Sequence, residues 1–190
     1  MFLSGLAPKG VRTPRAMVIE LLAAVPSVVY GLWGLLVFRT YIQNWIEMPL
    51  HNLFGDQSII FAGTPFGLDI LTASIVLAIM IIPTISSISK EIMLAVPNSQ
   101  REAAYMLGAT KWEVFRIAVL PYSKSGLIGA IILGLGRAVG ETMAVTMLIG
   151  NATGAAAFPS SLFGPGQTLS SIMANEFAEA SQGGLHLAAL

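Results

Sequence analysis

Residues 16–38, AMVIELLAAVPSVVYGLWGLLVF, form an apolar run long enough to cross a bilayer as a helix, which takes roughly 20 residues. Two further runs have the same character: 68–89, LDILTASIVLAIMIIPTISSIS, and 125–149, SGLIGAIILGLGRAVGETMAVTMLI. Three such runs in 190 residues leave little chain for a water-soluble core, and the composition agrees. Charged residues make up 11% of the chain and hydrophobic residues 55%, whereas a soluble domain carries about 25% charge. The expectation is an all-α, polytopic membrane helical bundle, with 1–190 forming a single transmembrane domain.

Each run carries local signals. Glu20 falls in the first turn of the first run, where the helix N-terminus and the membrane interface both tolerate a carboxylate. Pro26 is expected to kink that helix, and Gly31 and Gly34 offer a small face to a neighbour. Residues 39–67 read as a connector with turn chemistry, in which Tyr41, Trp45 and Phe54 suit a membrane interface. Asp69 sits at the favourable start of the second run, and Pro83 is expected to break its last turns. Gly126, Gly129, Gly134, Gly136 and Gly140 would allow close helix contacts in the third. Beyond it, Asn151–Gly184 is polar and rich in Gly and Ser, with a short helix expected from about Ser170 to Ala180. Residues 185–190 resemble the start of another span.

Between the second and third runs lies the one amphipathic segment, Ser99–Pro121, SQREAAYMLGATKWEVFRIAVLP. It carries Arg101, Glu102, Lys111, Glu113 and Arg116, and reads as two short helices with a break. Ser99 with Glu102, and Thr110 with Glu113, have the spacing of capping boxes. Gly108 stands between them, where a left-handed helix stop is cheapest. Pro121 marks the next boundary or kink.

Basic residues set the orientation. Lys9, Arg12 and Arg15 precede the first run, and Lys90, Arg101, Lys111, Arg116 and Lys124 lie between the second and third. Two spans separate these regions, so they share one side and hold eight of the ten Lys and Arg residues. Ser99–Pro121 is therefore expected to face the cytoplasm, and 39–67 and 151–183 to face outward.

Several function classes find no support. The chain has no cysteine, which excludes a disulfide framework, a thiolate metal site and a cysteine nucleophile. His51 and His186 are far apart and assemble no metal site. No HExxH or P-loop occurs, and no histidine or lysine base stands near a Ser or Thr within the spans. Net charge is zero with no basic stripe for nucleic acid, and MFLSGLAPKG lacks the apolar core of a signal peptide. No cofactor is implied.

Two charges lie inside the third run. Arg137 and Glu141 are four apart, which on a continuous helix puts them on one face. Charges at membrane depth are costly and face a bundle interior or a water-filled path. One reading is a structural ion pair that joins helices. The other is that Arg137 contacts an anion in transit, its planar guanidinium offering two parallel donors to a tetrahedral oxyanion, with Glu141 orienting it or gating release. Thr142 and Thr146 either line the same path or bond their own backbone.

Glu102–Pro121, EAAYMLGATKWEVFRIAVLP, resembles the EAA loop of ABC-importer permeases: Glu-Ala-Ala, three residues, Gly, nine residues, Ile, one residue, Leu-Pro. Glu102, Ala103, Ala104, Gly108, Leu120 and Pro121 match, and Ala118 stands where the pattern prefers Ile. LLAAVPSVVYGLWG at 21–34, GLGRAVGETMAV at 134–145 and ANEFAEA at 174–180 resemble the PstC-type permeases of phosphate-specific transport. The resemblance implies a permease fold in a bacterial inner membrane, with the EAA loop docked in a groove of a cytoplasmic ATPase and Arg137 and Glu141 in the phosphate path. It implies two ABC ATPase subunits, a second permease, a periplasmic phosphate-binding protein and surrounding lipid as partners. ATP hydrolysis would belong to the ATPase, not to this chain. Family chains are longer, so this one is expected to be a fragment lacking spans at the front and most of the last. Permeases for other oxyanions such as sulfate or molybdate share the architecture, and a regulatory subunit that senses phosphate without conducting it is a further alternative.

Overall fold

The computed structural model describes residues 17–19, 21–55, 58–61, 63–154 and 161–177. The basic residues before the first run, Glu20 and the start of a last span at 185–190 lie outside these. Among the described residues the fold is all helical apart from one isolated parallel bridge between Gly150 and Gly166. In chain order the helices are α1 (Met17–Ala24), α2 (Ser27–Phe54), α3 (Ile70–Leu94), α4 (Asn98–Met106), α5 (Lys111–Val139), α6 (Met143–Leu148) and α7 (Leu169–Glu176). A 3-10 turn at Ile59–Phe61 lies between α2 and α3.

The boundaries differ from the sequence expectation in physically interpretable ways. Pro26 breaks the first run outright: it stands at the N-cap of α2, where its missing N–H costs nothing, and its carbonyl receives Val29 N–H at 3.0 Å. Past residue 38 the chain does not turn into a loop, because α2 continues to Phe54. Pro83 does not stop α3, which runs on to Leu94. Pro121 does not end a helix either, since α5 passes through it. At the far end α5 stops at Val139, and Gly140–Thr142 separate it from α6.

Pro121 and a further proline inside α2, Pro49, share a cause of tolerance. A proline ring clashes with the carbonyl four residues back. For Pro49 that residue is Trp45, within the π-helical turn Gln43–Glu47. For Pro121 it is Ile117, within the π-helical turn Phe115–Val119. In each case the helix widens around the offending carbonyl and then continues. A third wide turn, Gly34–Phe38, lies earlier in α2.

α3 and α5 are long and apolar enough to cross a membrane, and α1 with α2 would supply a third, broken span. Only 28% of α3's most apolar window and 22% of α5's is buried. Most of their apolar surface therefore faces outward, as in a chain meant to be surrounded by lipid or by further helices.

The chain forms two compact units. The first joins the described part of Met1–Val25 to Met80–Arg137. Met93, Val96, Phe115 and Val119 make its core, with Leu120 and Leu127 packed on it. α3 and α5 approach closely there: a Cβ on Gly126 would lie 2.7 Å from Ile92 Cγ2, and one on Gly134 2.5 Å from Ile85 Cγ1. The second unit joins the described parts of Pro26–Ile79 and Ala138–Leu190. Tyr30 and Ile42 of α2, Ala73 and Val76 of α3, Ala144, Val145 and Leu148 of α6, and Phe163 are buried in it. A Cβ on Gly31 would stand 2.9 Å from Ala144 Cα, and one on Gly34 2.9 Å from Leu148 Cδ1, so this small face of α2 packs against α6.

Candidate functional site

The amphipathic segment folds into a helical knob in the first unit. α4 begins at Asn98 with Pro97 at its N-cap and no side-chain cap. The Ser99–Glu102 capping box therefore does not form: Pro97 starts the helix two residues early and puts Ser99 inside it. Arg101 reaches back instead, donating from Nη2 to Met93 O at 2.7 Å, a carbonyl in the last turn of α3. There a cation suits the helix dipole.

α4 stops as expected at Gly108. Ala109 N–H donates to Ala104 O at 3.2 Å and Gly108 N–H to Tyr105 O at 2.9 Å. This pair of bonds is the Schellman stop, which needs a left-handed residue. Gly108 supplies it with φ +81°, and no atom lies within 4 Å of where its Cβ would be. The second capping box does form. Thr110 Oγ1 accepts from Glu113 N–H at 3.4 Å, and Glu113 Oε2 accepts from Thr110 N–H at 2.7 Å.

Glu102, Ala103, Gly108 and Pro121 are exposed, Ala104 is buried and Leu120 is half-buried against the core of this unit. Met106 and Leu107 at the tip are 87% and 86% exposed.

Arg137 stands in the last turn of α5 with its side chain exposed. Its Nη1 donates to Thr84 Oγ1 on α3 at 2.9 Å. The pair lines a shallow groove with Gly129, Ile132, Leu133 and Gly136. A Cβ on Gly129 or Gly136 would meet nothing within 4 Å, so the groove is open above its backbone.

Glu141 lies past the end of α5, so residues 137 and 141 do not share one helical face as expected. The break at Gly140 is the reason. Glu141 Oε1 accepts from Ala144 N–H at 3.3 Å in the first turn of α6. Each charge thus sits at the helix end whose dipole favours it, the cation at a C-terminus and the carboxylate at an N-terminus. Glu141 also presents its carbonyl to Ser170 Oγ at 3.0 Å. The two threonines follow the backbone reading: Thr146 Oγ1 donates to Thr142 O at 2.8 Å, and Thr142 Oγ1 to Gly140 O at 3.4 Å.

Two features escape a reading of residue spacing. Thr84 is one; an isolated threonine in an apolar helix carries no signal of its own. The other is a buried polar cluster in the second unit. Glu47, Asp69 and Thr72 are fully buried. Glu47 Oε2 accepts from Gly67 N–H at 3.0 Å and Oε1 from Thr72 Oγ1 at 3.2 Å. Asp69 Oδ1 accepts from Thr72 N–H at 2.8 Å, capping α3. Asp69 Oδ2 has no hydrogen-bond partner among the described residues.

Membrane-length apolar helices, a helical knob with the EAA spacing and a cation at the end of an apolar helix together mark a membrane protein. A family model described as "Binding-protein-dependent transport system inner membrane component" matches residues 9–178, and the chain belongs to that family. Among its relatives, the phosphate transport system permease protein PstC of Pasteurella multocida is 50% identical over the whole chain and 59% of the relative. The protein of the same name from Haemophilus influenzae is 47% identical over the whole chain and 60% of the relative. Phosphate transport system permease protein PstC 2 of Mycobacterium tuberculosis is 42% identical over 96% of the chain and 56% of the relative. The chain thus spans about three-fifths of the length of the relatives it matches.

Proposed function

We propose that the chain is part of the transmembrane pathway of an ATP-driven phosphate importer in a bacterial inner membrane, with Ser99–Pro121 on the cytoplasmic face. The observation that carries this reading is identity of up to 50%, along the full chain, to permeases named for phosphate transport. The names favour phosphate over sulfate or molybdate, and transport over phosphate sensing alone. In this reading a periplasmic phosphate-binding protein delivers the anion to the outer surface. A second permease completes the pore, two ATPase subunits drive it, and lipid surrounds the rest. This chain supplies no catalytic group; hydrolysis belongs to the ATPase.

The knob is the coupling element. Glu102, Ala103, Ala104 and Gly108 shape its docking face, and the exposed Met106 and Leu107 enter a groove of the ATPase. The Schellman stop and the Thr110 capping box hold α4 and the start of α5 in a fixed relation, so the knob moves as a body. α5 then carries the displacement through Leu120 and Pro121 to Arg137, about 39 Å from Lys111 at the rise of a regular helix. Arg137 contacts phosphate in transit, and Glu141 fixes the start of α6 beyond it. Rigid-body rocking of these helices would expose the Arg137 region alternately to each side.

The test is Arg137→Gln in the full-length protein, assembled with its partners, with phosphate uptake and ATPase stimulation both measured. Loss of uptake with the assembled complex intact is expected. Normal uptake would sink the path role of Arg137 and leave it a structural residue.

A further inference from the structure

Resting on the reading of Arg137 as a phosphate contact, we infer that Thr84 is a second anion-contacting group of the pathway, presenting its hydroxyl beside the guanidinium. A threonine hydroxyl has one proton to donate and two lone pairs. Arg137 Nη1 occupies one lone pair at 2.9 Å. Threonines in apolar helices ordinarily spend the proton on their own backbone, as Thr146 does on Thr142 O. Among the described residues Thr84 makes no such bond, so its proton is available to the groove.

The surroundings favour an anion at this place. The groove wall is Ile132 and Leu133, and its floor is the bare backbone of Gly129 and Gly136. Low-polarity walls strengthen a charge-assisted hydrogen bond, and a guanidinium left facing lipid would be costly. The exposed face bearing Arg137 therefore belongs to a water-filled path or a polar partner surface. With Nη1 held by Thr84, the other N–H groups of the guanidinium keep a fixed direction towards two oxygens of a tetrahedral oxyanion. The Thr84 O–H reaches a third.

The chemistry also points to a protonated oxyanion. The hydroxyl can donate to a bare oxygen or, through its second lone pair, accept from a P–OH group. An additional cation in its place could only donate. A site built from one guanidinium and one hydroxyl therefore accommodates hydrogen phosphate in either orientation. Sulfate, which has no proton at neutral pH, gains nothing from the acceptor.

The experiment compares Thr84→Val and Thr84→Ser in the full-length protein, assembled with its partner subunits in vesicles, with Arg137→Gln beside them. Valine matches the shape and deletes the hydroxyl. Loss of one hydrogen bond to a charged group should raise the KM for phosphate about tenfold, with kcat within about twofold and weaker discrimination against sulfate. Serine should bring KM back to within about threefold of the parent, since it restores the bond. A Thr84→Val protein with unchanged KM, beside an inactive Arg137→Gln, overturns the role of Thr84 and leaves the pathway reading standing. Normal transport by Arg137→Gln overturns both. Should Thr84→Val fail to accumulate in the membrane, Thr84→Ala against Thr84→Ser decides on the same readouts, and equal KM values overturn the inference.

Discussion

Glu47 carries two structural duties at once: it accepts from Gly67 N–H, which precedes α3, and from the Thr72 hydroxyl within it. Deleting the carboxylate strands both donors in a fully buried site. Glu47→Ala should therefore destabilise the protein by about 2–4 kcal/mol, read as a lower thermal unfolding midpoint in detergent. Glu47→Gln should cost less, because its one amide oxygen still accepts from one of the two donors. An alanine variant as stable as the parent would show that the cluster contributes nothing. The sequence betrays Asp69 by its place before an apolar helix, but not Glu47. A regular helix would bring residue 45 or 46 beneath Ile42. The wide turn Gln43–Glu47 lengthens the step to five, burying Glu47 and leaving Trp45 78% exposed. Arg137 was legible from its apolar neighbours, whereas its separation from Glu141 hung on one turn at Gly140.

At the scale of elements, the glycines fall into two groups that sequence alone does not separate. Gly31 faces the backbone of Ala144, an atom that cannot rotate away, while Gly129 faces open space. Gly31→Ala should cost about 1–3 kcal/mol through overpacking. Gly129→Ala should be neutral or stabilise by up to about 1 kcal/mol, because alanine is the better helix former. Thermal unfolding of the two variants side by side checks this, and equal effects would remove the close packing of α2 on α6 as a source of stability. Helix existence was readable from apolar length. Helix ends are not, because a proline in the sequence does not say whether the helix stops at it or widens around it. Pro49 and Pro121 are instead absorbed by wide turns that move the clashing carbonyl, and Pro26 is the one that starts a new helix.

For the molecule as a whole, the count of basic residues gives an orientation that a simple labelling experiment decides. The chain has no cysteine, so one introduced thiol in an otherwise cysteine-free full-length protein reports a single place. Leu107→Cys should react with a membrane-impermeant maleimide only from the cytoplasmic side. Ile59→Cys, at a position 77% exposed, should react only from the opposite side. The reverse pattern would overturn the proposed placement of the knob. The packing of Gly31 and Gly34 on α6 also has a consequence in time. Gly31 leaves the ribosome about 110 residues ahead of Ala144, a wait of roughly 6–20 s at ordinary rates of synthesis. Throughout that interval a face made for close helix contact is open within the bilayer, where small-residue surfaces recognise one another readily. The packing of α2 on α6 therefore cannot form until Ala144 has been synthesised, and α2 must stay uncommitted until then.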